Sequence, residues 1–416
     1  MTSGRHAMYT RLFFFIAVSV VFLLIPQLSP AFTMESQALS VGDYSVELRV
    51  PKGMRVDFLA QLNEPRFLAL GPGDEILSGS KGPRIYRLKK PYTTPETLVT
   101  LFGRIHSVAY RDGRIFAAES GGLYVAPYSG PTSVPKAEQF SLVTPLPAPP
   151  GGHWSRTVVV GPDKRLYIGL GISGNCSDEY LDNRYPFSRR RGGVFLLDER
   201  PGGPVLVPYA SGLRNPIGLA FHPDTGVLYA TNAGPDNLGF YLPPEVFAPL
   251  HHGSFHGMPW FQYWGGAFHD GGCATSQPPR PAGESTPPAV TFPARSTPEG
   301  VVFVTGTGLG PEFEGNALVA IHGSWAVPPG GGPETRRPPK IVMVRFASGK
   351  AVDVHNVITG FQRPDGSRFT RPCGMLMGPD GNLYFTGDFG EVTGLFRLRL
   401  VKPVAAVNSL LLKDQP

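Results

Sequence analysis

Short apolar runs of strand length alternate with polar turns along most of this chain. One kind of turn recurs: Gly or His followed by Pro-Asp, or a close variant of it, and then another short apolar run. Five copies are clear and occupy residues 71–77, 111–116, 161–167, 222–229 and 378–384. A degenerate sixth copy lies between the last two, at residues 313–319. Each copy also follows an apolar run, as residues 157–160 precede the third copy, so each copy predicts a β-hairpin.

The number and spacing of these units predict the fold class. Six strand–turn–strand units, with no run of helical period as long as about 12 residues between them, favour an all-β, six-bladed β-propeller over a sandwich. A third strand follows several copies, at residues 84–88, 193–197, 341–346 and 394–399.

The repeats also predict the domain boundaries. We expect the propeller at residues 44–403, a loose leader at 32–43 and a C-terminal tail at 404–416. The widest interval between units predicts a long loop insertion at residues 240–298, rich in Gly, Pro, His and aromatic residues. A loop of that length in a compact domain is usually functional.

Composition agrees with a turn-dense β protein. The 416 residues include 52 Gly and 45 Pro, about double the average usage, with no collagen-like period. The net charge is +6, from 38 basic and 32 acidic residues, and the basic residues are scattered. Nucleic acid is therefore not an expected partner.

The N-terminal segment predicts export. Arg5 and Arg11 precede an apolar run from Leu12 to Ile25, and small residues follow up to Ala31. This arrangement is typical of a secretory signal peptide over residues 1–31, and the run is shorter than the ~20 residues that a membrane-spanning helix needs. We expect a periplasmic or secreted protein, with membrane attachment only if the signal segment stays uncleaved.

Three cysteines are too few for a disulfide framework and lack the paired spacing of a zinc site. An exported protein could hold one disulfide. Cys176 and Cys273 both lie in Gly-rich segments and are the preferred pair, which would leave Cys373 as a thiol. Buried free thiols are the alternative.

Three segments place polar groups beside the repeat strands, where the central channel of a propeller lies. His153, after two glycines, could act as a general base, or it could simply bond to neighbouring backbone. Arg214 and Asn215 precede a core strand and could bind a carboxylate or an oxyanion, or else pin a blade junction. Gly234 and Pro235 begin a turn whose carbonyls, with the acid and amide that follow, could bind Ca²⁺; a plain turn is the alternative.

The repeat and these segments together resemble the soluble pyrroloquinoline quinone (PQQ)-dependent sugar dehydrogenases, the glucose/sorbosone dehydrogenase family, over roughly residues 50–400. The most specific strings are His153 eight residues before a turn copy, Gly-Leu-Arg-Asn-Pro-Ile-Gly at 212–218, Asn-Ala-Gly-Pro-Asp-Asn-Leu-Gly at 232–239, His-Gly-Ser-Trp at 322–325, and Arg371 followed by Pro. Five such strings in the family's order make the resemblance specific.

The resemblance implies a hydride transfer from a sugar or polyol hydroxyl to PQQ. His153 would take the proton of the hydroxyl. Arg214, with Asn215 beside it, would stabilise the negative charge on the reduced quinone. The backbone carbonyls of Gly234 and Pro235 would bind a Ca²⁺ that also contacts the cofactor. A cytochrome or a quinone would accept the electrons.

The resemblance further implies that Arg371, and less surely His322 and Arg66, neutralise the carboxylates of the cofactor. Two departures change the expected substrate contacts: Gly152 stands where glucose-oxidising members have a carboxylate, and Ser173 where they have an amide. The substrate is therefore not expected to be held as glucose is.

Other departures concern metal and cofactor. Phe240 and Tyr241 replace an expected acidic pair, which puts a second, structural Ca²⁺ in doubt. Ala326 and Val327 follow the His-Gly-Ser-Trp string where polar residues are usual, and Cys373 replaces an Arg of some relatives. Cofactor affinity is expected to be lower than in the family.

Two alternatives remain from the sequence. One is a propeller hydrolase of the lactonase type, which holds a metal in its channel with carboxylates and Asn, whereas this chain offers few acids on its inner strands. The other is a non-catalytic binding propeller that has lost the cofactor. A separate metal site is not expected at four loop histidines, because they lack the spacing of a known site: His251, His252, His256 and His269.

Overall fold

The computed structural model describes residues 32–148 and 152–401. The predicted signal peptide and C-terminal tail lie outside the described residues. Within the described ranges, no helix combines the length and the apolar character that crossing a bilayer requires.

Six antiparallel sheets are arranged as blades in a ring, and the first strands of neighbouring blades contact one another in a closed circle. The predicted six-bladed β-propeller is thereby confirmed. The strands of each blade are given from the channel outward. The first blade consists of β4 (Pro65–Leu70), β5 (Ile76–Ser80), β6 (Arg84–Leu88) and β7 (Pro95–Thr100), and the second of β8 (Ile105–Arg111), β9 (Arg114–Glu119), β10 (Gly122–Pro127) and β11 (Ser141–Pro145). The third consists of β12 (Arg156–Val160), β13 (Leu166–Leu170), β14 (Gly193–Arg200) and β15 (Gly203–Ser211), and β19 (Ser254–Phe255) pairs with β15 in parallel.

The last three blades follow the same plan. The fourth blade consists of β16 (Pro216–Phe221), β17 (Leu228–Asn232), β18 (Glu245–Leu250) and β22 (Val290–Phe292). The fifth consists of β23 (Pro298–Phe303), β24 (Ala317–Ile321), β25 (Lys340–Ala347) and β26 (Lys350–Ile358). The sixth consists of β27 (Pro372–Met377), β28 (Leu383–Gly387), β29 (Gly394–Leu400) and β3 (Met54–Gln61). The final blade therefore takes its outer strand from the beginning of the propeller, and this pairing closes the ring.

All six copies of the sequence turn join the first strand of a blade to the second. The Pro-Asp and Asp-Gly pairs supply the turn conformation, and the apolar flanks supply strands that are buried on both faces. Side chains of adjacent blades form the core, as Phe116 and Leu123 of the second blade pack with Leu166 and Ile168 of the third.

Two predicted segment boundaries are wrong. Residues 32–43, expected to be a loose leader, contain β1 (Met34–Val41), which pairs with β2 (Tyr44–Pro51). Their alternation of buried and exposed side chains lets one face pack on the propeller.

The predicted loop insertion 240–298 is also not one loop, because β18 and β22 within it are the third and fourth strands of the fourth blade. The intervening residues form a hairpin, β20 (Phe261–Trp264) and β21 (Ala267–Asp270). Five short 3₁₀ helices occur within the described residues: Ala137–Gln139, Phe187–Arg189, Ala282–Glu284, Pro311–Phe313 and Pro333–Thr335.

Candidate active site

A cavity of about 910 Å³ opens at one end of the channel, where the first strands begin and the second strands end. The two sets of strand ends meet there because first and second strands are antiparallel. The cavity's size is typical of a small-molecule site. Its charged and polar wall includes Arg66, Lys81, His153, Arg214, Asn215, Glu299, His322 and Asp388.

The sequence-predicted site residues divide into two groups. Arg66, His153, Arg214, Asn215, Gly234 and His322 all line the cavity. Arg371 and Pro235 do not. The channel therefore brings together most of the predicted site residues, and these come from four of the six blades.

His153 precedes β12 and carries a defined tautomer. Its Nδ1 lies 2.6 Å from the carbonyl oxygen of Ile172, and a carbonyl can only accept, so Nδ1 holds the proton and Nε2 is a proton acceptor. Burial lowers the pKa of His153 to about 3, and the positive charge of Arg214 contributes. The imidazole is therefore neutral at ordinary pH, as a general base must be.

The backbone around His153 is held from several sides. Its carbonyl accepts hydrogen bonds from Arg156 (2.9 Å) and Arg191 (2.7 Å). Gly152 has φ 74°, and a Cβ there would lie 1.6 Å from the carbonyl oxygen of Ser173. Glycine is required at this position, so a carboxylate side chain, which the resemblance implies for glucose-oxidising members, would not fit without moving the Ser173 backbone.

Arg214 is fixed by a loop from the neighbouring blade. Its Nε donates to the carbonyl of Asn175 (2.9 Å) and its Nη2 to Asn175 Oδ1 (2.9 Å). A disulfide joins the next residue, Cys176, to Cys273, as the sequence favoured. Burial lowers the pKa of Arg214 to about 10, which leaves the guanidinium charged. Beside it, the buried Oδ1 of Asn215 has no hydrogen-bond partner within the described part of the chain.

The opposite wall is a buried cluster of opposite charges. Arg66 forms ion pairs with Glu299 (3.0 Å) and with Asp388, and His322 Nε2 lies 2.7 Å from Asp388. Lys81 also approaches Asp388, at 3.4 Å. Burial opposes ionisation of Asp388, yet its contacts with His322 and Arg66 hold its pKa well below the usual value.

This cluster changes the roles implied for Arg66 and His322. Both were expected to neutralise cofactor carboxylates, but each already contacts carboxylates of the protein. Arg371 is fully buried, donates to the carbonyls of His322 (2.7 Å) and Gly323 (2.5 Å), and lies under the ring of Trp325 at 4.0 Å. The three implied carboxylate anchors are thus engaged with the protein itself.

The turn predicted to bind Ca²⁺ is occupied by a side chain. The Arg295 guanidinium donates to the carbonyl of Pro235 (3.3 Å) and that of Asp236 (3.0 Å), reaches the carbonyl of Gly239, and pairs with the Asp236 carboxylate. The residues around Pro235 therefore do not fit a resident metal ion as they stand.

Glu245 holds this turn from behind. Its carboxyl accepts a hydrogen bond from the Gly234 amide. Burial raises the pKa of Glu245 to about 7, against backbone hydrogen bonds and the charge of Arg214 that lower it.

Sequence reasoning missed Glu299, Asp388, Lys81 and Arg295. A usable signal was present for three of them. Glu299 follows the strand-opening Pro298 just as Arg66 follows Pro65. Lys81 and Asp388 each come directly after the second strand of a blade, as His322 does. Reading each blade in register would have placed all three in the channel. Arg295 lies outside the repeat and has no such signal.

Comparison with known proteins agrees with the fold and with the motifs. Residues 136–324 match the family model described as glucose/sorbosone dehydrogenase. An uncharacterized protein of Borreliella burgdorferi is 24% identical over 383 residues, which cover 86% of this chain and 93% of that protein.

Solved structures show the same architecture. The holo form of the PQQ domain of pyranose dehydrogenase from Coprinopsis cinerea superposes with a TM-score of 0.64 at 19% identity, over 85% of this chain and 97% of that one. The PQQ-bound aldose sugar dehydrogenase of Streptomyces coelicolor gives 0.56 at 19%, over 84% and 99%. A calcium structure of a Trichoderma reesei enzyme of carbohydrate-active family AA12 gives 0.69 at 17%, over 89% and 98%.

The fold is that of the six-bladed propellers that include PQQ-dependent sugar dehydrogenases. Residues 136–324 match the glucose/sorbosone dehydrogenase domain model, and the resemblance stated from the sequence is confirmed. This match supports a function of the sugar-dehydrogenase type.

Proposed function

We propose that this protein oxidises a hydroxyl group of a sugar or another polyol at the His153 wall of the cavity, with PQQ as the oxidant. The observation that carries the proposal is the tautomer of His153: Nδ1–H donates to the Ile172 carbonyl, so Nε2 can accept a proton in a side chain that lines the cavity. The fixed guanidinium of Arg214 lines the same cavity.

PQQ, when bound, supplies a quinone that accepts a hydride. His153 Nε2 takes the hydroxyl proton, so the substrate loses a proton and a hydride and becomes a carbonyl compound. Because the pKa of His153 is about 3, its imidazolium gives the proton up readily to water in the open cavity. Arg214, which stays charged, is suited to stabilise negative charge on the quinone, and Asn215 lines the cavity beside it.

The fit is partial. The charge of Arg214 and the cavity volume suit a flat, anionic cofactor. Arg66 and His322 could reach its carboxylates only by giving up contacts to Glu299 and Asp388. We therefore expect weaker PQQ binding than a channel of unpaired cations would provide. A cytochrome or a quinone is the proposed electron acceptor.

We also propose that the protein works in the periplasm or outside the cell. The Cys176–Cys273 disulfide supports this, because disulfides persist in oxidising compartments. N-terminal sequencing of protein recovered from each compartment, with cleavage after Ala31 as the expected result, tests it.

The hydrolase alternative gains one observation. Glu299, His322 and Asp388 offer ligand atoms within 4.8 Å of one another, so the channel holds acids that the sequence pattern did not predict. However, the cations Arg66 and Lys81 already contact these carboxylates, and a metal would have to displace them.

One titration separates the candidates. Purified protein is titrated with PQQ while cofactor absorbance is followed, and dye reduction is then measured with a panel of aldoses, ketoses and alcohols. Saturable binding with turnover of at least one sugar or polyol is the expected result. Binding without turnover would favour the non-catalytic propeller, and absence of saturable binding would overturn the proposal. Lactone hydrolysis dependent on added metal would instead favour the hydrolase.

A further inference from the structure

The loop after β17 presents a set of oxygens to one cation, and that cation belongs to the protein. Three backbone carbonyls and one carboxylate, from Pro235, Asp236 and Gly239, contact the Arg295 guanidinium. Backbone carbonyls together with a carboxylate are the ligands that Ca²⁺ prefers. The guanidinium, with five donors, satisfies the same oxygens through hydrogen bonds.

The backbone conformation between β22 and β23 places the Arg295 side chain against these oxygens. Arg295 lies in the connection between β22 and β23 and has φ 71°, and Thr297 has φ 50°. Both are non-glycine residues in the left-handed region, a conformation that persists only where the surroundings enforce it. Arg295 is 9% exposed, so the guanidinium is buried against the turn rather than resting on the surface.

Glu245 fixes the turn against this segment. Its carboxyl accepts from the Gly234 amide on the turn and interacts with the backbone N–H groups of Arg295 and Thr297. One buried side chain thereby ties together the oxygen set and the segment that carries the cation.

We propose that the Arg295 guanidinium is the resident cation of this turn, in place of a divalent metal, and that the site binds its quinone without Ca²⁺. The statement about metal depends only on contacts within this chain, whereas the statement about quinone rests on the function proposed above. A Ca²⁺ at the same oxygens would have to displace Arg295 and would be repelled by its charge.

The first test measures metal binding directly, without cofactor. Chelator-treated protein is titrated with CaCl₂ by isothermal titration calorimetry, for the wild type, Arg295→Met, Arg295→Lys and Arg337→Ala. Arg337 is the matched control, because it stacks on Phe240 (4.8 Å) beside the same loop but does not contact the Pro235 carbonyl.

The proposal expects that only Arg295→Met binds one Ca²⁺ per chain, with a dissociation constant on the order of 10⁻⁴–10⁻³ M, the range of open extracellular sites. Arg295→Lys keeps the charge and should exclude Ca²⁺ as the wild type does. Failure of a folded Arg295→Met to gain a Ca²⁺ would overturn the proposal. If Arg295→Met does not fold, Ca²⁺ binding to the wild type decides. Absence of Ca²⁺ binding to the wild type supports the proposal. Ca²⁺ binding that weakens at least tenfold in Asp236→Asn would place the metal at the turn and overturn the proposal.

The second test includes the quinone. The PQQ dissociation constant of the wild type, measured by absorbance, should change less than twofold between EDTA and millimolar Ca²⁺. A tenfold tightening by Ca²⁺ would show that the ion joins the site when the cofactor is bound and would refute the proposal. If PQQ does not bind at all, the proposed function fails, and the calorimetric series still decides the role of Arg295.

Discussion

At the scale of single residues, one hydrogen bond sets the chemistry of His153. The Ile172 carbonyl accepts from Nδ1 and so leaves Nε2 as the proton acceptor, while burial keeps the ring neutral. Two arginines donate to the backbone carbonyl of the same residue, so the backbone that carries the ring is held on one side by both contacts.

We predict that His153→Ala lowers turnover by about 10²–10⁴-fold, the usual contribution of a general base, and leaves the PQQ dissociation constant within a few-fold. Steady-state dye reduction and absorbance titration measure the two quantities. His269→Ala is the control, because His269 is exposed on the hairpin β20–β21 and should leave both unchanged. Near-normal turnover in His153→Ala would require another base.

The pH dependence follows from the direction of the pKa shift. A histidine with its pKa lowered from 6.5 to about 3 remains unprotonated as the pH falls from 8 to 5, so protonation of His153 should cause no loss of kcat/KM there. Glu245, with a pKa of about 7, titrates within this range, and Glu245→Gln removes its contribution. An acid limb near pH 6.5 that persists in Glu245→Gln would contradict the prediction.

Arg214→Lys should not be conservative. A single ammonium group cannot reproduce the two hydrogen bonds to Asn175 while also facing the cavity. Losing one charged hydrogen bond costs about 1.5–3 kcal/mol, so we expect kcat/KM to fall about 10- to 100-fold and PQQ binding to weaken. Arg189→Lys, at an exposed position on the same connection between β13 and β14, is the control. Wild-type kcat/KM and wild-type PQQ binding in Arg214→Lys would show that Arg214 has a structural role.

At the scale of elements, the connection between β13 and β14 acts as a support for the site. Its Asn175 binds Arg214 and also accepts from the Asp236 amide (2.8 Å), so it links Arg214 to the turn that begins at Gly234. The disulfide at Cys176 anchors this connection to the segment after the hairpin β20–β21.

Replacing both bonded cysteines by Ser should therefore affect activity as well as stability. The disulfide closes a chain separation of 97 residues, for which loop-closure entropy predicts a loss of about 4–5 kcal/mol. We expect a lower midpoint in thermal unfolding, and a lower kcat/KM even at temperatures where the propeller stays folded. Reduction of the wild type with dithiothreitol should reproduce both effects. Unchanged kcat/KM in the folded variant would show that Asn175 holds its position without the disulfide.

At the scale of the whole molecule, stability depends on closing the ring. β3 pairs with β29, so residues from near the two ends of the propeller share one blade. Phe396 of β29 is fully buried, with its ring centroid 5.2 Å from that of Phe58 on β3 and 5.2 Å from that of Phe385 on β28. The closing blade is thus held by aromatic packing as well as by backbone hydrogen bonds.

Phe396→Ala should lower the free energy of unfolding by about 3–5 kcal/mol, because it leaves a cavity in this packing. Urea denaturation measures the change. Phe102→Ala is the matched control, since Phe102 is 74% exposed and its truncation should cost no more than about 0.5 kcal/mol. Equal effects of the two substitutions would show that the closing blade does not limit stability.

The sequence by itself determined what depends on short stretches of chain. Turn chemistry and apolar runs within some ten residues specify each hairpin, and six hairpins leave few ways to bury all their faces other than a propeller. The positions of His153, Arg214 and Gly234 next to hairpin strands likewise sufficed to predict that they face the channel.

The tertiary structure alone decided what depends on residues far apart in the chain. Arg66 and Asp388, 322 residues apart, form an ion pair, and Arg295 reaches carbonyls 56 to 60 residues earlier. No local pattern encodes such pairs, because they arise where separate blades converge on one axis. A channel of unpaired cations around a Ca²⁺ site was therefore a reasonable expectation from the sequence, and the folded chain instead supplies its own carboxylates to the cations and its own guanidinium to the carbonyls.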